Sequence, residues 1–584
     1  MDGQTLTHGS APAPEPAPAP SLVRGLWYRQ LPHYPDRRPR MLYLGIVVAT
    51  TVILYYELYA QFSVAPRIIA DYHMTFTYYV YVSVIGNAVG AFASLLAGLA
   101  DRWGRANLVA YGLLFTGLLT AVGIPNAPDK VTFTVLVAGL NFVEGIILVA
   151  TPALIRDFSP QLGRATAMGF WTLGPVIGSL VVTSVSSHTL VAHPDWQFQL
   201  RVAGVAGLVI FVVALFGLRE LSPKLRDQLM VSMRDRALIE ARAAGLDPAR
   251  ALDRQWRSML RLDVIGSAIA ISLFLVFYYA AVGSFVVYFT TTFGYSTARA
   301  NSLANWYWAA NAIALVVAGL LSDRLKVRKP LMVAGGIVSL VGLSVFASRG
   351  THPDTGYYTF AVITMVTAIG GGIAYCAWMA SFTETVEAHN PAATATGLAV
   401  WGWIIRITVS VSSIALTLVV TAVTPLVDQG PRVQALSAKY STQLATIAVV
   451  DPTTLAALSA NPLNPTAAAT AVGEIARKQG VSVPEATARL VAVGQVPAAD
   501  LAFLRKNGPT VARAARNGPH QWQHWWWVCV ICQILFLPCV FVMAGRWSPR
   551  RARQDAREHD ELVERELAAI AAGPSAASGV DAAG

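Results

Sequence analysis

Residues 98–105 read GLADRWGR and residues 319–329 read GLLSDRLKVRK, so an Asp-Arg pair follows an apolar stretch twice in the chain. The two pairs begin at Asp101 and Asp323, 222 residues apart. Each follows the second apolar stretch of its half of the chain. A repeat at this distance predicts two related halves, an arrangement typical of membrane proteins built from internal repeats.

Hydropathy predicts an all-α membrane protein. Of 584 residues, 54% are hydrophobic and only 13% are charged, and the mean hydropathy is +0.49. A bilayer core about 30 Å thick requires roughly 20 apolar residues per helix, and Gly-rich runs suit helices better than a barrel. We predict twelve spans, near residues 42–63, 77–100, 106–124, 131–155, 166–187, 201–218, 264–292, 300–321, 331–348, 358–383, 394–427 and 524–545.

The spans divide the chain into two pseudo-symmetric six-helix halves with tails, a connector and an insert. The predicted boundaries are a disordered Pro/Ala-rich cytoplasmic tail at 1–41, the N-terminal half at 42–218, a cytoplasmic connector at 219–263, the first five helices of the C-terminal half at 264–427, an extracytoplasmic helical insert at 428–521, the twelfth helix at 522–546 and a cytoplasmic tail at 547–584.

Basic residues mark one side of the predicted bundle. The net charge is +11, and the connector segment 219–262 alone carries ten Lys or Arg residues. By the positive-inside rule, we expect both termini and the connector on the cytoplasmic side of the plasma (inner) membrane. The charge is thus explained by topology and contact with the lipid bilayer, and we expect no nucleic-acid partner.

The repeated loops resemble the signature G-x-L-A-D-R-x-G-R-[KR] of the major facilitator superfamily. Ala97 stands at the place of the first signature Gly, and Lys326 at the place of the second Gly in the second copy. The resemblance implies the superfamily's fold and a proton-coupled permease for organic solutes, usually a monomer. The residues predicted to act as a conformational latch are Asp101, Arg102, Arg105, Asp323 and Arg324. The alternative is that these residues only anchor the topology.

Ionisable residues within the spans are the first candidates for function, because burying charge in a bilayer is costly. Glu57, Glu144 and Arg406 are predicted to lie near the midplane, with Glu57 and Glu144 as proton-coupling groups and Arg406 as a substrate-binding group. No histidine is expected deep in a span, so a carboxyl group is the natural proton carrier. In many family members an Arg stands where Asn141 is found. The alternative is a structural buried ion pair.

Polar and aromatic side chains on the same spans are candidates to contact a solute. Together with Arg406, the predicted substrate-binding residues are Tyr56, Tyr278, Tyr279, Asn305, Asn311, Tyr375 and Trp401. Any one of them alone is more often a packing residue than a ligand contact, but together they predict a cavity suited to stacking and hydrogen bonding.

The polar stretch before the last span predicts a compact helical insert. Asp451-Pro452 and Asn464-Pro465 are expected to open helices, and Gly480, Gly494 and Gly508 to end them. A tryptophan cluster follows and is expected to anchor span twelve at the membrane interface. Its members are Trp522, Trp525, Trp526 and Trp527.

Three functional hypotheses remain open at this stage. The first is proton-coupled symport of a small organic anion. The second is export of a drug or metabolite by proton antiport, because residues 174–179 (GPVIGS) resemble part of the antiporter signature G-x-x-x-G-P-x-x-G-G. The third is a sensor or scaffold that does not transport. No phosphate-binding loop or metal-ligand cluster is evident, so we expect no enzymatic activity, no cofactor and no metal.

Overall fold

The structure is a computed structural model, and it is a bundle of long helices. It describes residues 27, 29–94, 103–158, 164–222, 225, 260–389, 394–543 and 545–572. Within these, eleven helices are long and apolar enough to cross a bilayer. The helix Arg164–Thr189 packs against spans one and eight and takes the fifth place, which brings the bundle to the twelve helices predicted.

The first half contains spans one to six and the second half spans seven to twelve. Their bounds are Arg37–Ser63, Phe76–Ser94, Arg105–Leu118 (continued by a π-helical turn, Leu119–Gly123, and a 3-10 turn, Ile124–Asn126), Lys130–Phe158, Arg164–Thr189, Trp196–Gly217, Ser267–Phe274 with Val276–Phe293 (preceded by a π-helical turn, Leu262–Gly266), Thr297–Leu325, Lys329–Arg349, Tyr357–His389, Thr394–Val419 and Ala498–Val542. The all-α fold in two halves is confirmed.

Glycines let neighbouring spans approach closely. A methyl group at Gly145 of span four would come within 3.0 Å of the Gly90 backbone of span two. Span nine and span ten make an equivalent contact in the second half, where a methyl group at Gly370 would overlap the Ser339 backbone. Lipid is as apolar as the side chains, so no hydrophobic driving force holds membrane helices together. Small residues at such crossings instead allow close van der Waals packing.

The insert packs as a set of short helices on one end of the bundle, called the insert end below. Its helices are Val423–Asp428, Gly430–Lys439, Ser441–Val449, Pro452–Ala460, Pro465–Gln479 and Val483–Gly494. Asp451 and Asn464 cap two of them, accepting hydrogen bonds from Thr453 N at 2.9 Å and Ala467 N at 3.1 Å. Gly480 ends a helix at φ +63°.

The expectation that Gly508 ends a helix is wrong. The last helix of the insert is continuous with span twelve, from Ala498 to Val542, so no helix boundary lies at residue 521. Leu504 and Val511 pack with Val433 from the insert, which holds the extension in place without a break. The last part of the insert and the twelfth span are therefore one continuous helix.

The tryptophans of span twelve form core rather than an interfacial anchor. Trp522 and Trp526 are fully buried and stack on each other at 5.4 Å. Trp526 also meets Phe285 and Phe346 edge-on, within 6.2 Å between ring centroids. Only Trp527 is exposed, at 39%. The prediction of an aromatic belt failed because these side chains turn toward spans seven and nine.

At the opposite end, called the connector end below, the chain before span one pairs with the chain after span six. Gln30–Leu31 and Glu220–Leu221 form two short parallel strands, β1 and β2. Arg29 is buried and donates to Asn107 Oδ1 at 2.7 Å and Ala214 O at 3.0 Å. Burial lowers the pKa of the Arg29 guanidinium from its usual value. The expectation of disorder as far as residue 41 is therefore wrong from residue 29 onward.

Gly145→Ala is expected to destabilise the protein by about 1–3 kcal/mol, because the added methyl group forces spans two and four apart. Gly139→Ala on the same helix is the matched control, since the nearest atom to its new methyl group lies 3.9 Å away. Thermal unfolding of the purified protein in detergent measures both. Equal melting temperatures for the two variants would contradict this account of the helix crossing.

Candidate functional site

A cavity of about 50 Å³ lies between the halves. Its walls come from span five and from spans seven, eight, nine, ten and twelve. A water molecule requires roughly 10–15 Å³ measured in this way, so the cavity holds water but must widen for an organic solute. The wall residues are Thr172, Pro175, Val176, Phe274, Leu275, Phe277, Tyr278, Tyr279, Tyr307, Asn311, Ser339, Thr367, Gly371, Gly372, Tyr375 and Gln533.

Four of the eight predicted solute-binding residues lie in this wall: Tyr278, Tyr279, Asn311 and Tyr375. Tyr278 is packed edge-on against Tyr279 at 5.2 Å, and its hydroxyl has no partner among the described residues. Asn311 donates to Ala368 O at 2.9 Å, which leaves its amide oxygen as an acceptor. The wall thus combines aromatic faces with a few hydrogen-bonding groups.

Glu144 and Arg406 bring opposite charges together from the two halves. Glu144 of span four is 4% exposed, and its Oε1 has no hydrogen-bond partner among the described residues. The guanidinium of Arg406, from span eleven, is near enough to act on this carboxyl group through its charge, without a direct hydrogen bond to Oε1. Arg406 also interacts with the hydroxyls of Tyr55 and Tyr279, and Tyr279 belongs to the cavity wall. The two charges therefore lie near the cavity, although neither residue belongs to its wall.

A glycine provides the place for the guanidinium. A methyl group at Gly90 would lie 3.3 Å from Arg406 Nη1 and 3.0 Å from Asn141 O. Asn141 itself donates to Val137 O at 2.8 Å within its own helix. Arg406 thus reaches across the interface onto spans two and four, beside the position where many family members carry an Arg.

Glu57 is buried away from the cavity, within the first half. It is 1% exposed, and its Oε1 occupies the space that a methyl group at Gly207 of span six would fill. Thr116 of span three lies against the carboxyl group. The charge of Glu144 acts on this carboxyl group from span four, so the two predicted proton-coupling residues lie in the same half, and neither belongs to the cavity wall.

The other predicted solute-binding residues lie outside the cavity wall. Tyr56 is 3% exposed, with an unpartnered hydroxyl among the described residues. Trp401 packs on Trp378 at 5.5 Å, behind Tyr375. Asn305 bonds to Ser187 of span five at 3.2 Å and joins the halves near the insert end. Trp401 thus supports the wall at Tyr375, Asn305 joins the halves, and none of the three residues forms the wall itself.

Polar contacts between the halves are concentrated at the insert end. Asn301 of span eight donates to Ser63 O of span one at 2.9 Å, and Asn305 bonds to both Ser184 and Ser187. Among the described residues, the other such contact joins Asn87 to Ser410 at 3.4 Å, midway along spans two and eleven. The insert end is closed in this conformation.

Gln533 is a wall residue that sequence analysis missed. It lies on span twelve and is 2% exposed, and its Nε2 donates to Ser339 Oγ at 3.1 Å. Its Oε1 has no partner among the described residues. A buried amide in an apolar span is unusual enough to have been noticed. The span was interpreted as a packing element because tryptophans and cysteines adjoin this glutamine.

The structure describes three of the five residues of the predicted latch. Asp101 and Arg102 lie outside the described residues. Arg105 forms an ion pair with Asp157 of span four at 2.9 Å, with both side chains largely buried. In the second half Asp323 pairs with Arg328 at 3.0 Å, and Arg328 also contacts Glu384 of span ten at 3.0 Å. Arg324 is exposed. Each half thus has an ion-pair cluster at its connector end.

These features define a membrane carrier with a central cavity between two halves. The model of the Major Facilitator Superfamily matches residues 47–413, and the chain belongs to that family. The members of that family are membrane carriers rather than enzymes.

Two curated relatives match part of the chain. The chain is 25% identical over 310 residues to the MFS-type transporter criB of Aspergillus cristatus, covering 47% of this chain and 66% of criB. It is 30% identical over 138 residues to the niacin transporter NiaP of Acinetobacter baylyi, covering 23% of this chain and 29% of NiaP. The chain thus matches just under two thirds of criB and less than a third of NiaP.

The solved structure is a bacterial homologue of the human lysosomal transporter Spinster in an inward-facing and unoccupied conformation. It superposes with a TM-score of 0.54 at 14% identity, covering 88% of this chain and 100% of that chain. At this identity the likeness concerns the fold alone.

A double-mutant cycle of Arg105→Ala and Asp157→Ala is expected to give a coupling energy of about 0.5–3 kcal/mol, because the pair is largely buried. The partly exposed i,i+4 pair of Arg489 with Glu485 in the insert, at 2.7 Å, is the control, with about 0.3–0.5 kcal/mol expected. Thermal unfolding in detergent provides the four stabilities of each cycle. A coupling energy no larger than that of the control would remove the latch role from Arg105.

Proposed function

We propose that this carrier moves a small organic anion together with a proton by alternating access. The single observation that carries the proposal is that the halves supply one buried charge each, Glu144 and Arg406, near a cavity lined with tyrosines. Secondary transporters hold their solutes near the midplane between their repeats. The distance between two charges on opposite sides of this interface changes when the halves move relative to each other.

Arg406 is proposed to bind the carboxylate of the solute. A guanidinium offers parallel N–H donors that match a carboxylate, and it keeps its charge when buried. Tyr279 and Asn311 in the adjacent wall supply a hydroxyl and an amide for the rest of the solute. The relative NiaP is named as a niacin transporter, and niacin is a small aromatic carboxylic acid of the kind such a wall accommodates.

Glu144 is proposed to couple proton and anion through charge balance. When its carboxyl group is ionised, it neutralises Arg406 across the interface. A solute anion arriving beside Arg406 would then leave an excess negative charge in a low-dielectric site, which is costly. Protonation of Glu144 removes this excess. Glu57, which interacts with Glu144 from within the first half, is proposed as a second proton-binding group.

Orientation and movement complete the proposal. The distribution of basic residues supports cytoplasmic termini in a plasma membrane, which places the connector end inside and the insert outside. The ion pairs of Arg105 and of Asp323, together with the neighbouring Asp101, Arg102 and Arg324, are proposed to open and close as a latch at the connector end. We propose a monomer, since each chain contains both halves of the site.

A second candidate is proton-driven export. Residues 174–179 resemble part of an antiporter signature, and Pro175 and Val176 lie in the cavity wall. A methyl group at Gly178 would overlap Tyr55, so this segment also fixes span five against span one. The same residues would then control how the cavity opens during exchange.

Replacing either charge should separate binding from coupling. In proteoliposomes with an inward proton gradient, Glu144→Gln is expected to retain nicotinate exchange but lose accumulation. Arg406→Gln is expected to lose nicotinate binding, at a cost of about 2–5 kcal/mol for a buried charge pair. Arg299→Gln is the control, because Arg299 lies at the insert end, where its guanidinium stacks on Tyr295. Labelled nicotinate uptake measures all three variants.

Proton movement distinguishes the two candidates in the same vesicles. Symport carries protons in with nicotinate and acidifies the lumen. Antiport moves protons against the direction of the solute. Uptake that is unaffected in both Glu144→Gln and Arg406→Gln would contradict the proposed roles of the charge pair.

A further inference from the structure

We propose that an exposed, positively charged face of the last long helix binds the phosphate groups of anionic phospholipids, in the leaflet at the insert end. This surface, called the basic face below, consists of Arg513, Arg516, His520 and His524, all of which are exposed. It belongs to the helix Ala498–Val542, which joins the insert to span twelve. The inference goes beyond the proposed function, because it concerns the lipid around the carrier rather than the solute inside it.

One side of this helix is buried from the insert to the end of span twelve. Leu504 and Val511 pack against the insert. A methyl group at Gly518 would lie 3.5 Å from Leu426 Cδ1 of the insert. Further along, the same side carries the buried residues Trp522, Trp526, Cys529, Gln533, Phe536 and Val540. Because these positions recur every three or four residues, the insert and the bundle cover one side of the helix and leave the opposite side open.

The open side changes from apolar to basic at His524. Within span twelve, its exposed side chains are those of Trp527, Val528, Ile531, Ile534 and Leu535. Toward the insert, its exposed side chains include the basic face, whose members follow one another at three or four residues. Such a spacing keeps all these positions on one side of the helix, because a turn takes 3.6 residues. The basic face therefore continues the lipid-facing surface of span twelve beyond the apolar core of the bilayer.

Hydrogen bonds to the ends of two other spans fix the level of the bilayer surface on this helix. Gln523 Nε2 donates to Ala347 O at 3.1 Å, and span nine ends two residues later, at Arg349. Gln521 Oε1 accepts from Ala422 N at 2.8 Å, just beyond the end of span eleven. Two spans thus end at the level of these two glutamines, which places the edge of the apolar core there.

The basic face lies within reach of the lipid headgroups. At 1.5 Å per residue, Arg516 stands about 8 Å and Arg513 about 12 Å beyond Gln521. The headgroup layer is roughly 5–8 Å thick on each side of the apolar core, and long arginine side chains bend toward it while their stems cover apolar surface. His520 and His524 lie at the level of the glutamines, where a ring N–H group can donate to a phosphate oxygen.

The basic face has no acidic partner among the described residues. No Asp or Glu occurs between Asp500 and Asp555 in the sequence. Within the described part of the insert, the ion pairs involve other arginines. A guanidinium binds phosphate oxygens through parallel N–H donors. A second copy of the chain would bring like charges together at this surface, so an anionic lipid is the complementary occupant.

The test is the melting temperature of the purified full-length protein in detergent, titrated with palmitoyl-oleoyl-phosphatidylglycerol, with the corresponding phosphatidylcholine or with inorganic phosphate. The unmodified protein is expected to show a saturable rise with phosphatidylglycerol alone. In the double variant Arg513→Gln/Arg516→Gln, the lipid concentration at half-saturation should increase about 30-fold, because each basic residue near an anionic lipid surface contributes about fivefold.

Arg505→Gln/Lys506→Gln is the matched control. These two side chains lie on the same helix and are also exposed. At 1.5 Å per residue they stand about 23 Å beyond Gln521, out of reach of the headgroups. The control should respond to phosphatidylglycerol as the unmodified protein does. Since all the replaced side chains are exposed, both double variants should melt at the unmodified temperature in the absence of lipid.

Three results would overturn the lipid assignment. The first is the absence of a saturable response to phosphatidylglycerol in the unmodified protein. The second is equal half-saturation in the two double variants, which would leave the basic face to water or to an acidic protein. The third is an equal rise with inorganic phosphate, since the ligand would then be a free anion rather than a headgroup. No transported solute enters the measurement, so its outcome is independent of the nicotinate experiments.

Discussion

The structure depends on one constraint: a charge inside the bilayer must be balanced locally. Glu144 and Arg406 meet this constraint only together, because each half supplies one charge. Burying an isolated charge costs several kcal/mol, and removing one partner of a buried pair is more damaging than replacing both. Any movement that separates the halves therefore changes the charge balance at the cavity. In this view ion coupling follows from the arrangement of the halves.

Glycines make that arrangement possible. Gly90 provides the surface on which the Arg406 guanidinium lies, and Gly145 lets span four approach span two. Gly207 does the same for Glu57 in the interior of the first half. The polar contacts at Asn301 and Asn305 close the insert end, while the ion pairs of Arg105 and Asp323 tie helices together at the connector end. Glycines thus both allow close helix packing and provide space for the buried charged side chains.

Much of the fold was predictable, because hydropathy and a repeated loop are properties of contiguous sequence. The buried Glu57, Glu144 and Arg406 were identifiable because charged residues in apolar segments are rare. Which of them lies near the cavity could not be predicted, since that depends on the rotation of each helix about its axis. Glu57 faces spans three and six, whereas Tyr55, two residues earlier, is near enough to Arg406 to be affected by its charge. The same limit explains why Tyr56 lies outside the cavity wall.

Other features needed three-dimensional information for different reasons. Gly508 does not end its helix, because packing on the insert outweighs the low helix propensity of glycine. Trp522 and Trp526 are core residues since their neighbours are aromatic side chains from other spans. Gln30 and Glu220 pair in strands β1 and β2, although they are nearly 200 residues apart in the chain. No local sequence pattern predicts a contact between segments so far apart in the chain.

The most direct test of charge balance is the effect of membrane voltage on nicotinate uptake. Proteoliposomes with a potassium gradient and valinomycin impose a potential of either sign without a proton gradient. If one proton accompanies each monovalent anion through the charge pair, net charge movement is zero, and initial uptake rates are equal at both potentials. Uptake that is strongly driven by an inside-positive potential would show an uncompensated anion and contradict the account.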